Sequence, residues 1–284
     1  MAIKNPKIML DPGHDKAQYN QGAAPGYWEG ERMWRLCRIL RPKLEARGFI
    51  VGTTKTKCDQ AVEVTARGRK AKGYNLLISL HTDACADPKV DRPTGIYLVD
   101  DDCGPIDEES KELAKLLSAT AAATIGTRYR AQQYSRRSSN DRDHDGKVND
   151  DYYGVLYGAH QVGVPAVILE NSFHTNARAA KWLLDDGNLQ KLANALANAL
   201  AEHYGVARTA ITMETLKKGD RGGQVEALQM ILMGSGFDCG QWGADGIFGT
   251  ATEAALKKYQ TERKIPATGV ADGATWTAML GQNN

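Results

Sequence analysis

The sequence predicts an α/β fold: a mixed, mostly parallel sheet with helices on both faces, followed by a small all-α three-helix domain. Three observations predict it. Short apolar runs bounded by turn residues recur at Lys7–Leu10, Leu76–Leu80 and Pro165–Leu169, the pattern of strands covered on both faces. Segments with apolar residues at helical spacing lie between them. After about residue 205 the strand signals stop, and short helices separated by glycine-rich turns take over.

The elements follow in order. The first run ends in Asp11-Pro12-Gly13-His14, and a glycine-rich loop occupies Gln21–Gly26. A helix is expected from about Glu29 to Arg47, where Met33, Leu36, Cys37 and Leu40 share a face. Pro42 lacks an amide proton and is expected to kink this helix or end its first half, and Gly48 to stop it. Phe49-Ile50-Val51 reads as a strand, 62–72 as a helix, Leu76–Leu80 as the strand running into His81, and Gly95–Val99 as a further strand. Residues 107–125 read as a helix, Pro165–Leu169 as the strand running into Glu170, and about Asn188–Tyr204 as the last helix of a first domain, residues 1–206.

Residues 207–214 form a polar connector to a second domain, 215–284. There Val225, Leu228 and Leu232 make one apolar face. Thr250-Ala251-Thr252-Glu253 fits a capping box, with Ala255, Leu256 and Tyr259 facing inward. Asp272 is expected to cap a last helix carrying Trp276 and Leu280. Trp242 and Trp276 are expected to be exposed.

Composition excludes several classes. The chain is 42% hydrophobic and 25% charged without low-complexity tracts, which is the make-up of a globular protein. A net charge of +2 is too small for nucleic acid as the main partner. Residues 215–281 are themselves balanced, seven basic against seven acidic. No run of apolar residues is long enough for membrane insertion. The N-terminus has no apolar signal core, so synthesis in the cytoplasm without a signal peptide is expected. Five cysteines, an odd number without a C-x-x-C pair, argue against a disulfide framework.

In open α/β sheets the ligand crevice lies beyond the carboxyl ends of the strands. His14, His81 and Glu170 each follow a strand, so the fold would gather them on one rim. Two imidazoles with carboxylates on one rim point to a catalytic metal. A catalytic zinc takes three protein ligands and keeps a fourth position open. Glu29, at the mouth of the first helix, is well placed as the third, and its charge suits a helix N-terminus. Glu31 is the near competitor, facing elsewhere on the helix. Glu170 would then move protons between water and a leaving group. Singly, each residue has an ordinary reading: a satisfied strand-end histidine, or a salt-bridge carboxylate. His160, His174 and His203 read as surface or helix residues, and Cys85 as a small hydrophobe.

Leu10-Asp11-Pro12-Gly13-His14, then Glu29, Ser79-Leu80-His81-Thr82-Asp83-Ala84, and Val164–Glu170 with Phe173 and Asn176 resemble the zinc-dependent N-acetylmuramoyl-L-alanine amidases of the type-3 family over nearly all of residues 5–204. The resemblance implies zinc on His14, Glu29 and His81, Glu170 as the catalytic glutamate, and cleavage between muramic acid and the first L-alanine of the stem peptide. Two departures stand out. Asp15 follows the histidine where the family has a small residue. Asn171-Ser172-Phe173-His174-Thr175-Asn176 replaces the usual Leu-Gly-Phe-x-x-Asn, which makes Asn171, His174 and Asn176 candidate substrate contacts.

Residues 215–281, from Leu216-Lys217-Lys218-Gly219-Asp220 through Asp245-Gly246-Ile247-Phe248-Gly249 to Thr275-Trp276, resemble a three-helix peptidoglycan-binding domain. The implied partner is bacterial peptidoglycan. With no secretion signal, the expectation is a phage endolysin that reaches the cell wall after release. A host autolysin or sporulation amidase, a zinc peptidase cutting within the stem, and a non-catalytic wall-binding protein are the alternatives. One motif stands apart: Asp141, Asp143 and Asp145, followed by Gly146 and Val148, match the first two-thirds of a calcium loop, although Tyr152 stands where a bidentate acid belongs.

Overall fold

Parallel pairing of the three apolar runs brings their carboxyl ends to one edge. The computed structural model describes residues 5–99, 105–206 and 213–280; Cys103 and most of the 207–214 connector lie outside them. A six-stranded sheet is built from β1 (Lys7–Pro12), β2 (Ile50–Thr53), β3 (Leu76–Asp83), β4 (Thr94–Tyr97), β5 (Gln132–Tyr134) and β6 (Ala166–Phe173), in the order β2-β1-β3-β6-β4-β5. The four strands β2, β1, β3 and β6 are parallel, β4 runs antiparallel to β6, and β5 is parallel to β4. The sheet is mixed and mostly parallel, as expected.

Period-two alternation divides the strands between two cores. Ile8, Leu10, Ile78, Leu80, Val167 and Leu169 face α1 (Glu29–Glu45), α3 (Pro105–Ile125) and α6 (Asp186–His203). Met9, Leu77, Ile96, Ala166 and Ile168 face α4 (Gly154–His160) and Ala71, just beyond α2 (Val64–Arg69). Because both of their faces are covered, the central strands β1, β3 and β6 read as continuous apolar runs.

Pro42 does not end the first helix. α1 continues to Glu45, and the Pro42 carbonyl accepts the amide of Ala46 at 2.9 Å. The chain then reverses at Gly48, whose φ of 89° is left-handed. Two helices unforeseen in the sequence, α4 and α5 (Ala177–Leu184), are each of eight residues or fewer. That is too short to display a clear helical period.

Residues 213–280 form a second core around α7 (Gly223–Gly234), α8 (Thr250–Glu262) and α9 (Gly273–Leu280), with Val225, Leu228, Leu232, Phe248, Leu256, Tyr259 and Trp276 inside. Buried Gln229 and Gln260 pin its loops: Gln229 donates to Asp245 and the Ile247 carbonyl, and Gln260 donates to the Val270 carbonyl and Thr275. Two expectations are corrected. Gly249 is the N-cap of α8 and no side chain caps it, because Thr252 accepts from Gln229 and Glu253 pairs with Lys218 and Lys257. Trp276 is buried, its indole donating to the Glu214 carbonyl at 3.0 Å, whereas Trp242 is 76% exposed. Asp272 does cap α9, accepting from the Thr275 amide.

Candidate metal centre and catalytic carboxyl

The register of the sheet builds the site. His81 pairs with Glu170 across β3 and β6, and Pro12 at the end of β1 pairs with Leu80. Gly13 donates its amide to the Leu80 carbonyl at 2.9 Å. A Cβ on Gly13 would lie 2.4 Å from the His81 ring, so only glycine lets the β1 exit pass that close. His14 takes the left-handed conformation, φ 62°, which costs a non-glycine residue energy and turns the chain back on itself. Its imidazole stacks on Tyr19 at 4.2 Å, and the Lys55 ammonium donates to its carbonyl.

Glu29 is the buried first residue of α1. Its Oε1 lies 2.8 Å from His14 Nε2 and 3.1 Å from His81 Nδ1, and accepts the Thr82 amide at 2.9 Å. Its Oε2 accepts from Asn20 at 2.7 Å. Glu31 is partly exposed and pairs with Arg32 at 3.4 Å, away from the two imidazoles. Donor atoms of His14, Glu29 and His81 all fall within 4.8 Å of one another. His14 Nε2 is buried and, despite its proximity to Glu29, is not aligned for a hydrogen bond to any group. Two imidazoles and a carboxylate with donor atoms this close together, one imidazole nitrogen buried without a hydrogen bond, fit a metal ion.

The electrostatics agree with that geometry. Burial works to raise the Glu29 carboxyl, but the close His14 and His81 imidazoles outweigh it and hold Glu29 well below the usual carboxylate range. Burial lowers His14, keeping it neutral and able to ligate. Glu170 is opposite in character. Burial pushes its carboxyl up to about 8, against the pull of His81, with the charges of Glu29 and Asp83 adding to the rise. Its Oε2 is buried without a hydrogen-bond partner. The rim therefore holds one ionised carboxylate among two imidazoles, and a second carboxyl that keeps its proton near neutrality.

The candidate substrate contacts lie elsewhere than expected. Asn171 is fully buried and donates to the carbonyls of His81 and Leu169. His174, expected at the surface or on the peptide, is buried behind Glu29, its Nδ1 lying 3.1 Å from Thr82 Oγ1 and 3.7 Å from Glu29 Oε2. Asn176 caps α5 through the Ala179 amide. Asn171, next to Glu170 on β6, points to the opposite face of the strand, whereas His174 and Asn176 follow the end of β6. His160 is likewise buried, against Asp151 at 3.3 Å. In the acidic loop the carboxylates that gather are Asp141, Asp143 and Asp150; Asp145 instead pairs with Lys147 at 3.7 Å.

Sequence reasoning passed over the supports of the site. Asp11 is fully buried, accepting from Arg67 at 2.8 Å, Ser79 at 2.6 Å, and Thr54. A carboxylate at the end of a buried apolar strand was its signal, since such a charge survives only when paired. Tyr27 bonds Thr82 Oγ1 at 3.0 Å, completing the layer behind Glu29.

Fold and site together define an α/β protein with a candidate metal centre and a neighbouring proton-holding carboxyl at the carboxyl ends of its central strands. Residues 8–202 match the family model described as N-acetylmuramoyl-L-alanine amidase, and the chain belongs to that family. Residues 221–279 match a peptidoglycan binding domain model. The chain is 31% identical over 107 residues to N-acetylmuramoyl-L-alanine amidase CwlL of Bacillus licheniformis, covering 35% of this chain and 30% of that protein. It is 23% identical over 243 residues to the amidase AmiC of Neisseria meningitidis, covering 76% of this chain and 55% of that one. The chain thus spans about half or less of the curated relatives it matches. Among solved structures, an N-acetylmuramoyl-L-alanine amidase of Clostridium difficile 630 superposes with a TM-score of 0.57 at 17% identity, covering 72% of this chain and 98% of that one. The catalytic domain of CwlV from Bacillus (Paenibacillus) polymyxa gives 0.55 at 18%, covering 71% and 99%. At such identities the likeness is one of fold.

Proposed function

We propose that this chain is a zinc-dependent peptidoglycan hydrolase that cuts the amide between N-acetylmuramic acid and L-alanine. The observation that carries the reading is the convergence of His14, Glu29 and His81 with Glu170 in register beside His81. Two imidazoles and one carboxylate are a catalytic zinc set that leaves a coordination position open. When bound there, zinc supplies Lewis-acid polarisation of a carbonyl and acidifies water. With a cation bound, the Glu170 carboxyl is drawn down, and the ionised carboxylate takes a proton from the attacking water as the new C–O bond forms, and returns it to the alanine nitrogen as the C–N bond breaks. The amine leaves and the lactyl group departs as a carboxylic acid. Asp11, Thr82 and Asn20 touch no substrate in this scheme; they position Glu29 and the rim.

In this reading residues 1–206 are the catalytic domain, 207–214 a linker, and 215–284 a domain that holds the enzyme on its polymer and raises the local substrate concentration. Phage endolysin and host autolysin share the same site and the same bond. The test is mass spectrometry of purified peptidoglycan digested with the protein, with chelator and with zinc added back. New L-alanine N-termini and peptide-free glycan, lost with chelator and restored by zinc, are expected. Cleavage within the stem would move the bond; no product from a zinc-loaded protein would sink the catalytic reading.

A further inference from the structure

Between β5 and α4 the chain makes an acidic excursion that the amidase chemistry does not use. Carboxylate oxygens of Asp141, Asp143 and Asp150 lie within 4.8 Å of one another. Asp141 is oriented by backbone amides: His144 donates to its Oδ1 at 2.7 Å and Gly146 to its Oδ2 at 3.0 Å. Each oxygen keeps a second lone pair.

Asp150 carries the argument. It is only 1% exposed, its Oδ2 accepts the Arg142 amide, and its Oδ1 is buried with no hydrogen-bond partner. Its neighbour Asp151 is also buried, accepting the Val99 amide at 3.0 Å and facing His160. The Arg142 guanidinium is turned away, stacked 4.0 Å over the Tyr157 ring and donating to the Asp151 carbonyl. A buried carboxylate oxygen without a donor is costly, and a cation shared with two further carboxylates removes that cost.

We propose that residues 141–150 form a second metal site, of the calcium class, with Asp141, Asp143 and Asp150 as its carboxylate ligands. Hard oxygen donors without nitrogen or sulfur select calcium over zinc, and backbone carbonyls and water complete the six to eight oxygens calcium takes. The ligand set is not the contiguous 1-3-5 series of a helix–loop–helix motif, because Asp145 accepts from the Lys147 amide and pairs with its ammonium. The ion would clasp the two ends of the excursion. The Ser138 amide, which follows β5, already donates to the carbonyl of Asp150, which precedes α4, at 2.7 Å.

The test is titration of calcium chloride into the full chain, with its zinc supplied, followed by isothermal calorimetry and thermal unfolding. One calcium per chain is expected, with Kd between about 1 μM and 1 mM. Saturation should raise Tm by roughly 5 °C. Asp150→Asn and the exposed Asp143→Asn should each weaken binding at least tenfold, and Asp143→Asn cannot fail merely by unfolding a core. Asp145→Asn should bind within about twofold of the parent. His81→Ala, which disables the other centre, should leave calcium binding intact. No heat and no Tm shift at about 10 mM calcium would overturn the site. So would full affinity in Asp143→Asn, or an equal loss in Asp145→Asn.

Discussion

Glu170 and Glu29 are the same side chain in opposite states, and their surroundings explain why. Glu29 is buried among two imidazoles and two N–H donors and stays ionised; Glu170 is half-buried with one buried, unpartnered oxygen and is pushed up to about 8. Glu170→Gln keeps the shape and removes the proton carrier. Hydrolysis should fall about 10³-fold while metal content, read by atomic emission, stays at that of the parent; loss of metal in that variant would instead make Glu170 a ligand. Asp11 is the residue on which the rim rests. Asp11→Ala leaves the Arg67 guanidinium buried without its carboxylate and should cost about 3 kcal/mol in urea unfolding. A change within error would show the pair to be dispensable. Of these residues, His14, His81 and Glu170 were legible from strand ends alone. Glu29 was preferred over Glu31 from its place at the mouth of the helix, and the fold sets it between the two imidazoles because that side of the first helical turn faces the sheet.

The strands legible in the sequence are those whose two faces are both covered, since their apolar runs are unbroken. β5 has three residues and sits at an edge; α4, of seven residues, is too short to show a helical period and packs closely on α2, which the sequence did display within 62–72. Their crossing is close: a Cβ on Gly68 would lie 2.2 Å from the Val155 carbonyl oxygen, and one on Gly158 2.1 Å from that of Thr65. Those atoms are backbone and cannot swing aside. Gly158→Ala should therefore force the helices apart and destabilise by about 2 kcal/mol or more, beyond any gain in helix propensity. Arg67 rides on α2, so the same variant should also loosen its bond to Asp11. An unchanged or raised Tm for Gly158→Ala would show that the crossing has slack.

The two cores meet where α7 packs on α1 and α6. Arg35 spans the junction, bonding Asp186 and the Met233 carbonyl. Lys43, on α1, is fully buried there, donating to the Met279 carbonyl at 3.2 Å. Burial, with Arg47 adding to it, pushes its ammonium down to about 7 from an ordinary 10.5. The sign follows from linkage. Below about pH 7 both states carry the proton and the folded chain bears the full desolvation penalty. Between about 7 and 10.5 the unfolded chain keeps a proton the folded one has shed, so stability rises with pH. Lys43→Met should raise Tm at pH 6 by a few degrees and flatten the rise above pH 7. Equal Tm values for variant and parent at pH 6 would show that water reaches the ammonium.

By itself the sequence determined the sheet's central strands, the two-part organisation and the residues at the strand ends, because buried parallel strands and their exits leave local, periodic signals. It also displayed the acidic loop, but with Asp145 in a place that Asp150 takes. Tertiary structure alone decided that Asn171 and His174 are buried and that Asn176 caps α5, that Trp276 is core, and that Lys43 is buried between the two units. Each of those outcomes depends on which distant surface a side chain meets. That information resides in strand register and helix packing, and no local window of residues contains it.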